Sequence, residues 1–376
     1  MKLNQITILI ALLIVFVSCS SVDNNRNTQS TAGGEKASAA NMFDGYEELQ
    51  GKDFENFKLP DKIEKNEFEK MYRFCSPYKQ TDNDMEENRN VIKHFVGDTF
   101  DEKNLTKTNS YGAYLYSTPD IRIMVQYGYP ISVDILDEAL FDRDMVILGE
   151  YSSSESDKTV RLKNGECTLS ELFEGMQKCL EKDLIPYYPE LEFSPRTVTN
   201  YKNPKGLCFT KIQFNVKYNG IMIEELSPLF ITENGPGYFI NTFYYTAELV
   251  MYAAEKDSYK TLGSNFALRK IISEEVNEAI SLKGAVELLR KELAPKPHYV
   301  FDSVALRYCC KQTAPGAVAD PEKTESILAD YGEIPTPYYE PTWCFYYTAV
   351  DDPNKPREAV KVNAVTGEIT IDTAKG

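Results

Sequence analysis

Leu207-Cys208-Phe209-Thr210-Lys211-Ile212-Gln213-Phe214-Asn215-Val216-Lys217-Tyr218 alternates apolar and polar side chains from Phe209 onward, and Asn219-Gly220 separates it from Ile221-Met222-Ile223. Period-two alternation is the pattern of a strand with one buried face, and Asn-Gly is the favoured pair for a two-residue hairpin turn. Upstream, Thr168-Leu169-Ser170-Glu171 has the spacing of a capping box, in which the hydroxyl accepts one orphan amide and the carboxylate returns to another. Leu169, Leu172, Phe173, Met176 and Leu180 then form one apolar stripe of a helix that ends before Pro186. The stripe recurs at Leu282, Ala285, Val286, Leu289 and Leu293, with Pro295 and Pro297 following as Pro186 and Pro189 follow the first. The expected fold class is α+β, built from repeated helix-plus-antiparallel-sheet modules in two or three units.

Both helices lead into strand patterns. After the second, Tyr299 to Tyr308 reads as a strand, Thr313 to Pro341 as a long loop, and Trp343 to Val350 as a strand turned by Asp351-Asp352-Pro353-Asn354. The tail, Ala359-Val360-Lys361-Val362-Asn363-Ala364-Val365-Thr366-Gly367-Glu368-Ile369, places Val360, Val362 and Ala364 on one face before a Thr-Gly turn. This ending resembles the closing hairpin of a PepSY-type domain, and the resemblance runs from about Ser281 to Asp372. It implies a PepSY-like binding or regulatory module without a catalytic centre, in which the signature residues are structural. The earlier unit, from Thr168 to about Tyr245, lacks the closing turn.

Before these units, Phe68, Met71, Tyr72 and Cys75 have helical spacing, and His94 lies in a second helical stretch ending near Gly97. Tyr111 to Tyr116, Ile121 to Tyr129 and Met145 to Tyr151 read as strands, with Ser117-Thr118-Pro119-Asp120 as a hairpin turn.

The N-terminus carries the address. Lys2 precedes an apolar run, Ile6 to Val17, too short to span a bilayer comfortably, which is the pattern of a secretory signal. Phe16-Val17-Ser18-Cys19 resembles the bacterial lipobox, in which a small residue precedes the cysteine that is lipidated and becomes the mature N-terminus. Phe16 stands where that family usually has Leu; an ordinary signal peptide with an incidental cysteine is the other reading. Ser20 to Ala40 is rich in Ser, Asn, Thr, Gly and Ala with Val22 as its one large apolar residue, so burial there cannot offset the entropy of ordering.

The chain has 376 residues, 41 Lys+Arg, 57 Asp+Glu and a net charge of −16. Such a surface repels phosphate backbones and carries no basic footprint for nucleic acid. Cleavage before Cys19 removes Lys2 alone, leaving 40 basic and 57 acidic residues and a net charge of −17. Only His94 and His298 occur, which limits histidine metal sites and histidine acid/base chemistry. There is no His-Glu-x-x-His, no Gly-x-Ser-x-Gly and no phosphate-binding Gly-x-x-x-x-Gly-Lys loop. Gly235-Pro236-Gly237 reads as a turn, and Asp82, Asp84, Glu86 and Glu87 as a solvated loop lacking the glycine and distal glutamate of a calcium loop. His298 begins a strand, with Asp302 and Ser303 near it in sequence only.

After Cys19 the cysteines are Cys75, Cys167, Cys179, Cys208, Cys309, Cys310 and Cys344, an odd number with no Cys-x-x-Cys pair. They read mostly as small buried apolar residues, and no metal site or cofactor is expected. Tyr338, Tyr339 and Trp343, among Pro335, Pro337 and Pro341, are the candidate exposed aromatic patch for a peptide or glycan, with core packing as the other reading.

The sequence thus divides into a signal peptide (1–18), a tether (19–41), an N-terminal α+β region (42–166), a middle module (167–280) and a C-terminal PepSY-like module (281–376). The expected function is that of a lipid-anchored protein on the extracytoplasmic face of the cell membrane, a non-enzymatic binding or regulatory module for an envelope protein or peptide. An exported hydrolase using carboxylates that spacing does not reveal and a solute-binding lipoprotein are the alternatives. Changing Cys19→Ala should move the protein from the membrane to the soluble fraction, because the tether has no other strongly apolar segment. Wild type should incorporate labelled fatty acid; an unlabelled wild type and a membrane-bound variant would overturn lipid anchoring.

Overall fold

The Asn219-Gly220 turn forms as expected. Asn219 has φ 47° and Gly220 φ 76°, the two positive values that match a two-residue turn to the twist of its strands. A Cβ on Gly220 would lie 2.3 Å from the Glu67 carbonyl oxygen, and the Gly220 amide donates to Glu192 Oε1 at 3.0 Å. Through this turn the chain leaves one large ladder of strands and enters another. The computed structural model describes residues 34–63, 65–75, 82–107, 114–125, 131–135, 144–226, 231–232, 235–236, 244–246, 248–264, 268, 271–293, 297–311, 338–347 and 358–372. Residues 34–376 form one compact unit.

The first ladder is antiparallel throughout. Its order is Leu105–Lys107, Tyr114–Ser117, Ile121–Val125, Ile131–Ile135, Thr261–Ser264, Glu248–Ala253, Cys208–Tyr218, Leu191–Lys202 and Val146–Ser152. The second is built from β1 (Tyr72–Cys75), β2 (Ile221–Leu226), β3 (Ser303–Lys311), β4 (Tyr338–Tyr347) and β5 (Glu358–Asn363). Here β2 runs parallel to β3, with Ile223 opposite Tyr308, and β4 is antiparallel to β3. The far side of β4 is shared between β5 and β1. Tyr244–Thr246, Ile369–Asp372 and Ile272–Glu275 add to β2, β5 and β1 respectively.

Three α-helices are described: α1 (Asp82–Val96), α2 (Leu169–Asp183) and α3 (Leu282–Glu292). The capping box of α2 is complete: Glu171 N donates to Thr168 Oγ1 at 3.2 Å, and Thr168 N donates to Glu171 Oε2 at 2.9 Å. The Thr168 amide, and then the Thr168 hydroxyl at 3.1 Å, donate to the Glu171 carboxylate and hold it below its ordinary pKa. In α3 the Ser281 hydroxyl accepts from Gly284 N at 3.1 Å, and Leu282, Ala285, Val286, Leu288 and Leu289 are buried.

The expectation of repeated PepSY-like helix-plus-sheet modules is overturned. The fold is predominantly β, with a large mixed sheet and short helices. Strand pairings also cross the divisions read at 166/167 and 280/281. β1 from the N-terminal region pairs with Ile272–Glu275 from the middle and with β4 from the C-terminal region, and β2 pairs with β3.

Phe68, Met71, Tyr72 and Cys75 have helical spacing, yet residues 72–75 are a strand. Phe74 stacks on Tyr339 at 4.8 Å and meets Tyr308 edge-on at 4.9 Å, so tertiary packing overrides the local period. His94 lies in α1, and the 117–120 turn joins strands that pair Ser117 with Arg122. The strand read from 299 to 308 is broken at Phe301 and Asp302. The closing hairpin pairs Val362 with Ile369 across a turn in which Gly367 has φ 78°. β4 starts at Tyr338, within the stretch read as a loop, while residues 312–337 and 351–354 lie outside the described residues.

Leu289 is 0% exposed at the centre of the α3 stripe. Leu289→Ala should cost about 2–5 kcal/mol in urea denaturation through lost burial and an unfilled cavity. A curve superimposable on wild type would place that face in solvent.

Candidate functional site

The expected aromatic patch is core. Tyr339 is 1% exposed and Trp343 0%. Trp343 Nε1 donates to the Ile280 carbonyl at 2.7 Å, and its ring meets Phe43 edge-on at 5.1 Å. These rings occupy the apolar face of β4 because successive strand residues point to opposite sides. The side chain of Tyr338 and all of Cys19 lie outside the described residues. Asp82 and Asp84 fall in the first turn of α1 instead of a loop, with Glu86 and Glu87 exposed after them. Gly235–Pro236 pairs with Ile231–Thr232. His298 ties down the surface, its Nε2 3.2 Å from Asp53 Oδ1 and 3.1 Å from the Phe54 carbonyl.

The other face of the second ladder is polar and also buried. Register places Arg73 beside Glu340, Cys309 between Glu224 and Glu340, and Cys344 beside Lys361. Arg73 donates from Nε at 2.9 Å and Nη2 at 2.6 Å to Glu340 Oε1, while Asn363 Nδ2 donates to Glu340 Oε2 at 2.6 Å. Asn363 Oδ1 accepts from the amides of Val365 and Thr366, both at 2.9 Å, so the residue that steadies Glu340 also shapes the closing turn.

A second group shares this face. Lys361 Nζ lies 3.2 Å from Glu224 Oε2, and both side chains are almost wholly buried. The Tyr346 hydroxyl donates to Glu224 Oε1. Cys309 Sγ lies 3.7 Å from Glu224 Oε2 and 3.6 Å from Cys344 Sγ. Burial, then the neighbouring Cys309 and Glu224, push the Cys344 thiol well above its ordinary pKa, with Lys361 opposing. This is a charge pair flanked by two buried thiols.

A third polar group joins α1 to α2. His94 Nε2 lies 3.1 Å from Asp183 Oδ1, and the Tyr259 hydroxyl donates to Asp183 Oδ2 at 2.9 Å. Burial, followed by the Asp183 charge, pushes the Tyr259 phenol far up. Burial and Asp183 also raise the Cys179 thiol, the wrong direction for a nucleophile. The group works as a clamp between helices.

Outside the core, Val146, Ile147 and Leu148 are 58%, 55% and 39% exposed. Among the described residues their strand pairs only with Leu191–Lys202, leaving the other edge open. Asn200 pairs with Gly149 and Tyr201 with Ile147, so Leu148 is the extra residue of a bulge.

No protein-family model matches the chain and no curated protein does. Among solved structures the chain is similar to an uncharacterized protein from Eubacterium rectale ATCC 33656, at 11% identity and a TM-score of 0.43, covering 81% of this chain and 87% of that one.

Sequence reasoning passed over the buried polar face because Lys361 and Asn363, at alternate positions of an apolar strand, carry the pattern of a solvated side. Arg73 and Glu340 are 267 positions apart, and no local period links them. Arg73→Met should destabilise the protein by about 3–5 kcal/mol in chemical denaturation, because it strips the buried Glu340 of its counter-charge. Glu340→Gln should cost less, since the Arg73 side chain is 33% exposed and can be hydrated. The reverse order would show that Glu340 is not held as a buried anion.

Proposed function

We propose that this is a lipid-anchored protein of the extracytoplasmic membrane face that acts by recognition, binding an extended apolar segment of an envelope protein by strand addition, without chemistry of its own. The observation that carries the reading is the edge at Val146-Ile147-Leu148, which no strand covers among the described residues. Exposed strand edges are normally blunted by charge, proline or a covering element. Here three consecutive large apolar residues stand in solvent, with no charged residue on the strand before Glu150. An added strand would use the free backbone groups for affinity and the apolar side chains for selection.

Self-pairing through this edge is opposed by the charge of −16 on each copy. The hydrolase reading draws little support from the buried carboxylates. Glu224 and Glu340 are each engaged by a basic side chain and a further donor inside the sheet. A surface concavity of about 370 Å³ has Asp61 and Asp302 together with Lys58 and Lys62 in its lining, a mixture of charges.

A photo-crosslinking residue at Ile147, in cells making the full-length protein, should give a discrete adduct heavier than the protein, and Leu148→Lys in the same chain should abolish it. The same crosslinker at exposed Glu192 should give none. An adduct of two copies, or none at Ile147, would overturn the reading.

A further inference from the structure

Glu224, Cys309 and Cys344 come from three adjacent strands, and their ligand atoms all lie within 4.8 Å of one another. We propose that this trio is a binding site for a thiophilic divalent cation, Zn2+ in the first instance, held by two thiolates and one carboxylate. A tetrahedral ion with metal–sulfur bonds of about 2.3 Å and a metal–oxygen bond of about 2.0 Å sets its sulfurs roughly 3.8 Å apart and sulfur to oxygen roughly 3.5 Å. The observed separations are 3.6 Å between the sulfurs and 3.7 Å from Cys309 Sγ to Glu224 Oε2. Two of the three donor–donor separations thus match the polyhedron, and the third, between Cys344 and Glu224, lies within 4.8 Å.

Charge makes the same case. Two thiolates and a carboxylate carry three negative charges, and the ion together with the adjacent Lys361 ammonium carries three positive ones. The loaded site is neutral overall, which a buried position requires. Thiolates ligate the ion, and thiols do not. Binding therefore exchanges two thiol protons for one metal ion: each S–H bond breaks, its proton leaves to solvent, and its electron pair becomes a metal–sulfur bond. No oxidant or reductant takes part.

The surroundings add support. The Tyr346 hydroxyl donates to the oxygen of Glu224 that does not face Cys309, an outer hydrogen bond of the kind that orients a ligating carboxylate. Glu224 and Cys309 each stand two residues from the C-terminal end of their strands, which places the trio close to the ends of β2 and β3. Cys310, next to Cys309, faces the opposite side of the sheet and is excluded from the set.

Cobalt(II) is the probe. Full-length protein, reduced and titrated with Co2+, should bind one ion per chain, with a thiolate-to-cobalt charge-transfer band and the intense visible bands of a tetrahedral centre, and Zn2+ should bleach both. Affinity should rise with pH, because the ligating form of each cysteine is the thiolate. Cys309→Ser and Cys344→Ser should each abolish the charge-transfer intensity expected of a two-thiolate site, while Cys208→Ser should leave it intact. Tyr346→Phe, which keeps all three ligands, should weaken binding by about 10-fold or more. Absence of the band in reduced, folded wild type would overturn the proposal, as would a band that survives both cysteine changes. So would a Cys309–Cys344 disulfide in protein isolated without reductant, together with a reduced form that takes up no cobalt.

Discussion

The Asn219-Gly220 turn is the constraint on which the architecture depends. One strand of the pair, Cys208–Tyr218, is central in the first ladder, and the other, β2, is placed beside β3 in the second. Only Lys217 and Tyr218 pair with Met222 and Ile221 before the two strands diverge. A residue with a side chain at Gly220 would meet both the unfavourable φ and the Glu67 backbone. The junction is short because β2 must turn away from its hairpin partner to reach β3, and a longer ladder would hold it in the first sheet.

The second ladder is buried on both faces, one apolar and one polar. Phe74, Tyr308, Tyr339, Trp343 and Phe345 form the first, and Glu224, Cys309, Glu340, Cys344, Lys361 and Asn363 the second. Taking Lys361 and Glu224 out of water costs several kcal/mol per ion, repaid only when the geometry is good. That cost makes register specific. A slip of one residue in β5 would turn Lys361 onto the aromatic face, away from Glu224, while carrying Val360 and Val362 to the charged side.

Local signals were legible where local chemistry decides the structure. The Thr168–Glu171 capping box, the α3 stripe, the Asn219-Gly220 hairpin and the tail turn all appear where the residues place them. The assembly was not legible, because ladders such as β1 with β4 join residues with no shared period. Reading each helix and its following strands as a module assumed that neighbours in sequence pair with each other; β3 with β4 obeys that, whereas β1 with β4 and β2 with β3 do not. The candidate site was hidden for a related reason: Cys309, Cys344 and Glu224 have no motif spacing and converge only when the sheet forms. Tyr339 and Trp343 were noticed for their chemistry but belong to the core, since alternation along a strand buried on both faces cannot say which side meets solvent.

The seating of β1 bears on how a ribosome can deliver this protein. Tyr72 donates its amide to the Tyr308 hydroxyl across 236 positions, and Arg73 reaches Glu340 across 267. The N-terminal strand is therefore synthesised long before its partners exist and cannot be sheltered by them until nearly the whole polypeptide has emerged. Such long loop closures slow the approach to the native state and leave nascent strands exposed in the meantime. Truncation before Tyr338 would remove the β4 and Glu340 partners of the N-terminal strand along with the last hairpin, so such a prematurely terminated product should be a substrate for quality-control proteases instead of a shortened working protein.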